Sequence, residues 1–296
     1  MKRLVRWLRG IRSCALAPAL EAQTGIRVSL SAEVQVLLAL RYQELRRLGG
    51  ALPSFEDAGF QIFSESNEDG ILCFIFALIG ATHRKLVDMG ARGVVGSNSA
   101  NLIVGHGWEA LLIDFDEREL GGARQFYDRS HATSVYPPRT LARWITPANV
   151  NAALAEQGFE QDLDLLCIDL DGQDYWIWRA INRAQPRVVV VEYQAMFGPD
   201  VAVTVPEAER FEPRMMGRFL LHGGASLPAW VSTMRHKGYR LIGCNSYCYN
   251  AFFMHEDEGR DVFPEVPVAS CFHHALARWA MKELLPLSTQ FDWVEV

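Results

Sequence analysis

Four short apolar runs recur through the middle of the chain: KLVDMG at 85–90, ALLIDFD at 110–116, LDLLCIDLD at 163–171 and RVVVVEY at 187–193. Each carries an acidic residue at or near its end, and none shows the one-in-two alternation of a half-buried strand. Continuous apolarity means burial on both faces, which is how strands of a parallel sheet read when helices cover both sides. The intervening segments, including 97–104 and 175–184, are long enough for crossover helices. The pattern predicts an α/β fold with a doubly wound, mostly parallel sheet. Such sheets take ligands at the carboxyl ends of their strands, where Asp88, Asp114, Asp169, Asp171 and Glu192 fall, so the expected functional surface is an acidic crevice.

The flanks read differently. Ser31 can cap a helix in which Val34, Leu37, Leu38, Leu45 and Leu48 recur at helical spacing before Gly49-Gly50 ends it. A second helix is predicted from 67–69, where acidic residues suit the positive end of the dipole, through ILCFIFALIG at 71–80. GYRLIGC at 238–244 and NAFFMH at 250–255 predict an antiparallel hairpin, and a further helix is expected over 273–285 before an irregular tail. FGPDVAVTVP at 197–206 reads as a long loop over the strand ends, a lid. The chain thus divides into an N-terminal helical extension (1–55), a ligand-binding α/β domain (56–260) and a C-terminal helix and tail (261–296).

Composition narrows the classes. The 296 residues carry 29 Lys+Arg against 35 Asp+Glu, a net charge of −6, with 49% hydrophobic positions. That excludes disorder for most of the chain and argues against a general nucleic-acid binder, which would need clustered cations. Six cysteines, at 14, 73, 167, 244, 248 and 271, lack the spacing of a disulfide framework and fit a reducing, cytoplasmic setting. Cys244 and Cys248 with His255, and Cys271 beside His273 and His274, have no second paired-cysteine knuckle and read as residues without special chemistry. The opening MKRLVRWLRGIRSCALAPALEA is basic and amphipathic, and Pro18 interrupts its only signal-like run. It reads either as a loosely docked terminal helix or as a peripheral attachment to an anionic membrane surface.

The chemistry concentrates in two motifs. In VDMGARGVVGSN (87–98) a strand, an acid and Gly90, Gly93 and Gly96 open a helix, so backbone N–H groups can approach a ligand closely. Arg92 stands where a dinucleotide fingerprint needs its second glycine, which disfavours a pyrophosphate. Asp88 instead offers an acceptor for a cationic group such as the ammonium and sulfonium of S-adenosylmethionine, and Asp114 is placed to take ribose hydroxyls. The other reading is a nucleotide-free domain with structural glycines. In IDLDGQDYWIW (168–178), Asp169, Asp171 and Asp174 repel one another unless a cation or a shared proton intervenes. With Glu192 they suit Mg²⁺, Ca²⁺ or Mn²⁺, and one such ion could bind a substrate hydroxyl and lower its pKa while a free carboxylate takes its proton. Alternatively these acids cap the next helix and pair with Arg179 or Arg183. His222 is a second candidate base, His106 reads as a turn residue, and of Trp176 and Trp178 one is expected in the core and the other along the crevice.

Together with FSESNEDGIL (63–72), GWEALLIDFD (107–116), WITPANVN (144–151), VVVVEYQAMFGPDVAVTVP (188–206), GASLPAWVSTMRHKGYRLIGCNS (224–246) and NAFF (250–253), these motifs resemble the FkbM-type S-adenosylmethionine-dependent methyltransferases over roughly residues 60–255. The resemblance implies O-methylation of a sugar, glycan, glycolipid or glycosylated metabolite. It implies cofactor contacts at Asp88, Gly90, Ala91, Gly93, Ser97, Asn98, Asp114, Phe115 and Asp169. Related metal-dependent sugar O-methyltransferases carry a similar D-x-D, which makes Asp169, Asp171 and Glu192 the expected metal ligands and Asp171, with His222, the expected catalytic residue. Two departures stand out: Arg92, where the family usually has a small or acidic residue, and one acid after the fifth strand where the metal-dependent relatives have two. A metal-dependent phosphohydrolase using the same carboxylates, and a non-catalytic glycan- or partner-binding module, are the competing readings.

Overall fold

The computed structural model describes residues 32–217 and 219–296; the basic segment 1–22 and the Ser31 cap lie outside the described residues. Seven strands form the central sheet: β1 (Lys85–Met89), β2 (Glu109–Asp114), β3 (Arg139–Ala142), β4 (Leu165–Ile168), β5 (Val188–Glu192), β9 (Tyr239–Cys244) and β10 (Asn250–His255). Their spatial order is β3-β2-β1-β4-β5-β10-β9. The first five run parallel, and β10 enters antiparallel beside both β5 and β9. The four apolar runs are β1, β2, β4 and β5, and the hairpin lies where its sequence places it. The doubly wound α/β expectation therefore holds.

Alternation along each strand sorts the core into two layers. Leu86, Ala110, Leu112, Leu165, Cys167, Val188 and Val190 face one side, with the short α2 (Phe55–Ala58), α3 (Glu68–Ile79), α4 (Ala100–His106) and α5 (Glu117–Arg129) in the same layer. Val87, Met89, Leu111, Ile113, Leu166, Ile168, Val189 and Val191 face the other, under α6 (Val150–Gln157), α7 (Asp174–Ala180) and α8 (Leu227–Arg235). The same period of two puts Asp88, Asp114, Asp169 and Glu192 on the α3–α5 side, so four carboxylates converge at one end of one face.

The helix over 32–47, α1, corrects the apolar reading of its sequence. Val34, Leu37 and Leu48 are exposed, whereas Gln35 and Tyr42 are buried and Leu38 packs beneath. A polar anchor sets this orientation: Gln35 exchanges hydrogen bonds with the buried Asn101 at 3.1 and 2.9 Å and meets His106 Nε2 at 2.6 Å. His106 is therefore held by side chains rather than by a turn. The acids opening α3 are likewise internal. Asp69 Oδ2 accepts from the backbone N–H of Ile62, Phe63 and Ser64 at 2.7, 2.7 and 2.9 Å, fastening the preceding loop.

Two short pairings replace elements expected to be irregular. The segment predicted as a lid contains β6 (Val203–Thr204), which pairs with β11 (Val294–Glu295) of the tail. It is pinned further by Trp176 Nε1 donating to the Val205 carbonyl at 2.8 Å and Gln173 Nε2 to that of Pro206 at 2.9 Å. Between them sits a hairpin of β7 (Arg214–Met216) and β8 (Phe219–His222). The single C-terminal helix is broken into α9 (Ala275–Trp279), a wider turn over Ala280–Leu284 and α10 (Leu285–Ser288), with Pro286 in α10 unable to donate a backbone hydrogen bond.

Candidate functional site

The loop after β1 is shaped by one glycine above all. Gly90 has φ +97, and a Cβ there would lie 1.7 Å from the Asp169 carbonyl oxygen, so its absence lets the ends of β1 and β4 touch. Gly96 also has positive φ, while Gly93 has nothing near its would-be Cβ and is not required by space. The helix begins only at Ala100, later than the motif suggests, and the residues before it are organised by Asp88. This acid is buried, and its Oδ2 accepts from Ser97 Oγ at 3.1 Å and Ser99 Oγ at 2.6 Å. Burial raises its pKa, with the Asp114 charge adding to the effect. Ala91 is buried with its N–H directed at the Ile113 carbonyl, and Asn98 is buried beside Ser97.

At the tip of β2, Asp114 is buried and receives the Asp116 N–H at 2.7 Å, and burial raises its pKa as well. Phe115, next along, is 55% exposed with its ring 5.1 Å from that of Trp144, an apolar platform beside the carboxylate.

Beyond β4 and β5 the charge density peaks. Carboxylate oxygens of Asp169, Asp171 and Glu192 lie within 4.8 Å of one another. Burial, followed by the charges of Asp171 and Asp174, pushes Asp169 well above the usual carboxylate range. Burial and the charge of Asp169, then those of Asp171, Asp174 and Glu65, do the same to Glu192. Asp174 is the exception in role: it accepts from the N–H of Leu170 at 2.6 Å and of Gly172 at 2.8 Å and so closes the turn. The cation in this group is Arg92, whose guanidinium pairs with Asp171 Oδ2 and stands 4.0 Å from Asp114 Oδ2. Arg179 and Arg183, the alternative partners, go elsewhere: Arg179 lies over the Trp176 and Tyr175 rings and Arg183 pairs with Glu160.

Asp171 itself adopts φ +57, a left-handed conformation that a non-glycine residue rarely takes. Gly223-Gly224 hold it there. A Cβ at Gly223 would approach the Asp171 carbonyl to 2.5 Å, and Gly224 N–H donates to the Gly172 carbonyl at 3.0 Å. His222, just before, is packed away: its ring stacks on Phe291 at 5.0 Å, meets Phe211 and Trp293, and its Nε2 contacts the Asp292 carbonyl at 2.8 Å. Trp178 is in the core and Trp176 is half-buried against the pinned 203–206 segment.

The residues that motif reading missed come from FSESNEDGIL. Ser64 bridges to Gly96, placing the exposed Glu65 side chain 3.5 Å from the would-be Cβ of Gly96, on the same rim as Glu192. Glu68 is fully buried and accepts from Asn245 Nδ2 at 2.6 Å and Asn250 Nδ2 at 3.0 Å, tying α3 to the hairpin beside the crevice. Their sequence signal was the density of acids at one helix start, more than a dipole needs.

No protein-family model matches the chain, and no curated protein matches it. Among solved structures it is similar to an O-methyltransferase from Bacillus cereus in complex with SAH, at 16% identity and TM-score 0.37 over 58% of this chain and 72% of that one. It is also similar to the fibrillarin/Nop5p complex, at 11% identity and TM-score 0.38 over 69% and 90%. A third is cofactor-bound Rv0187 from MTB, at 16% identity and TM-score 0.36 over 75% and 89%. Likeness at this level leaves the activity to be argued from the site.

Proposed function

We propose that the chain binds S-adenosylmethionine at the carboxyl ends of β1, β2 and β4 and transfers its methyl group to a hydroxyl of a sugar, glycan, glycolipid or glycosylated metabolite. The observation that carries this reading is charge imbalance. Asp114, Asp169, Asp171 and Glu192 crowd one rim with Arg92 as the guanidinium among them. Burying like charges together is costly unless a cation joins them. A sulfonium donor with an ammonium group supplies that cation and an electrophilic methyl carbon. The residues present fit it: Gly90 lets the ends of β1 and β4 close into one rim, the Asp114 carboxylate at the tip of β2 would accept ribose hydroxyls, and exposed Phe115 offers a face for a base.

An alcohol is a poor nucleophile until its proton leaves. Asp171 meets that need: its Oδ2 is taken by Arg92, and its other oxygen accepts no hydrogen bond from the described residues. That oxygen would take the hydroxyl proton as the acceptor oxygen gains the methyl carbon and the carbon–sulfur bond breaks. Asp169 and Glu192 would orient the acceptor, either directly or through Mg²⁺ or Mn²⁺ held with Asp171. Carbohydrate as acceptor class rests on the FkbM-type resemblance. A cytoplasmic location, with the basic 1–22 segment touching a membrane surface, belongs to the same proposal; among the described residues no helix is long and apolar enough to cross a membrane.

Calorimetric titration with S-adenosylmethionine and S-adenosylhomocysteine, with and without Mg²⁺, tests the donor. Binding of both is expected, and a protein that binds neither while hydrolysing phosphate esters with Mg²⁺ would instead be the phosphohydrolase. Asp171→Asn should lower methyl transfer by roughly a hundredfold to ten-thousandfold while donor affinity stays within a few-fold. Unimpaired transfer removes Asp171 from the role of base.

A further inference from the structure

The fold assembles a second cluster of metal-ligating side chains far along the chain from the acids, and from residues that no stretch of sequence places together. Cys244 closes β9 and Cys248 lies in the turn before β10. His273 follows the short 3₁₀ helix Val268–Phe272, 25 residues beyond Cys248. Cys244 Sγ and Cys248 Sγ are 4.0 Å apart, Cys248 Sγ and His273 Nδ1 are 3.7 Å apart, and the three donor atoms lie within 4.8 Å of one another. His255, the neighbour suggested by sequence, is engaged elsewhere, with Gln185 and Asp257.

We propose that Cys244, Cys248 and His273 bind a zinc ion, with its fourth position open to solvent, and that this ion clasps the C-terminal segment to the hairpin. Thiolate and imidazole are the donor set that zinc prefers over Mg²⁺ or Ca²⁺. With Zn–S bonds of about 2.3 Å and Zn–N bonds of about 2.0 Å, tetrahedral edges come to roughly 3.8 Å between sulfurs and 3.6 Å between sulfur and nitrogen. The Cys244–Cys248 and Cys248–His273 separations, 4.0 and 3.7 Å, are close to these edges, and the third pair lies within 4.8 Å, so closing on an ion needs about an ångström of movement at most.

Three further observations fit a built site. The Cys248 backbone is left-handed, φ +62, a conformation that a cysteine keeps only where its surroundings dictate it. The cysteines are buried and His273 is exposed, so ligands are fixed on one side and open on the other. Cys244, Cys271 and His273 also line a cavity of about 410 Å³ between residues 52–56 and β9, which gives the ion an entry path. His273 Nδ1 now rests 2.9 Å from the Ser270 carbonyl and would exchange that contact for the metal. Zinc entry converts the thiols to thiolates and releases their protons to solvent.

The consequence is mechanical. Asn245, between the two paired cysteines, donates to Glu68 on the crevice side, and Tyr193, just past β5, donates from its hydroxyl to the Cys271 carbonyl at 2.5 Å. A zinc clasp would stiffen both contacts from behind without touching donor or acceptor.

The test uses the full chain, purified with a reductant, stripped with chelator and titrated with Co²⁺ and Zn²⁺. About one equivalent is expected to bind at this site, with Co²⁺ giving a thiolate charge-transfer band and intense tetrahedral d–d bands that Zn²⁺ displaces. Metal held by the rim carboxylates would give no such charge-transfer band, so the two sites are read separately. Cys248→Ser and His273→Ala should each weaken Co²⁺ binding at least tenfold, and His274→Ala, which caps Leu276, should leave the spectrum unchanged. No charge-transfer band in the wild-type protein overturns the proposal, as does a Cys244–Cys248 disulfide that persists in reductant, or a spectrum that survives both Cys248→Ser and His273→Ala. Loss of donor binding alone would leave it standing.

Discussion

Asp164 and Asp169 stand at the two ends of one short strand, Leu165–Ile168, and their surroundings are opposite. Asp164 is fully buried yet satisfied: it accepts from the N–H of Thr82 at 3.0 Å, His83 at 2.7 Å and Arg84 at 2.6 Å, and pairs with Arg187 at 2.9 Å. Burial raises its pKa, but these donors outweigh it and hold the carboxyl below the usual range. Asp169 shares its end with Asp171, Asp174, Asp88 and Glu192, and is pushed well above. A carboxylate that the fold has already neutralised serves the fold. One left among its own kind stores electrostatic tension that only a proton or an arriving cation relieves, and that is how binding and catalytic sites are built.

The largest effect is expected where the tense end touches backbone. Gly90→Ala would drive a methyl group to 1.7 Å from the Asp169 carbonyl at a φ that alanine avoids, costing about 4 kcal/mol from overpacking and backbone strain together. Chemical unfolding measures it. A change below about 1 kcal/mol would mean that β1 and β4 do not close together at this rim, and the contrast between the two strand ends would lose its geometry.

How much of this was legible follows from what each feature is made of. Strands β1, β2, β4, β5 and the hairpin were readable because burial on both faces leaves an unbroken apolar run of a few residues. The acids at their tips were readable because the period of two and the strand ends fix where they go. Strand β3, half-exposed and only Arg139–Ala142, has no such run, and β6 and β11 are two residues each, separated by about ninety positions, so their pairing left no local trace. The outward turn of α1 was hidden because its anchor is a polar residue, Gln35, matched by Asn101 on another helix. Arg92 was visible as an oddity of the glycine loop, but its partner Asp171 lies 79 positions away and only the sheet order brings them together. The Cys/His cluster was set aside for the same reason: the sequence shows Cys244 and Cys248 near His255 and, separately, Cys271 beside His273 and His274, and only the fold brings His273 to the first pair.

Asp164→Asn attacks the satisfied end of the strand. It leaves Arg187 with Glu258 as its carboxylate partner and turns an acceptor toward three N–H groups into an amide that can serve them only in part. Loss of about 3 kcal/mol at neutral pH is expected from removing one partner of a buried, hydrogen-bonded pair. Because the folded pKa is depressed, this stability is present above the ordinary carboxylate range near pH 4 and is lost as pH falls through the folded value. The wild-type protein should therefore lose stability on acidification over that window, and the variant should lose less. Equal acid limbs in the two proteins would mean that Asp164 is not the neutralised acid described.

Glu192→Gln has the smallest expected effect and the opposite sign. A carboxyl whose folded pKa is raised binds its proton more tightly in the folded state, so between the ordinary value near 4 and the folded one, stability declines as pH rises. At neutral pH Glu192 has either to keep a proton that solvent would take or to face Asp169 and Asp171 as an anion with burial against it, and the amide removes that cost without changing the shape. A gain of roughly 1 kcal/mol is expected, together with a flatter stability profile above pH 5 and weaker activity, the exchange found where a site is held in tension. Thermal unfolding across pH 5–8 measures the first two. Should the variant be less stable than wild type at pH 7, Glu192 is already paid for by contacts within the fold, and the rim would be a second Asp164 rather than its opposite.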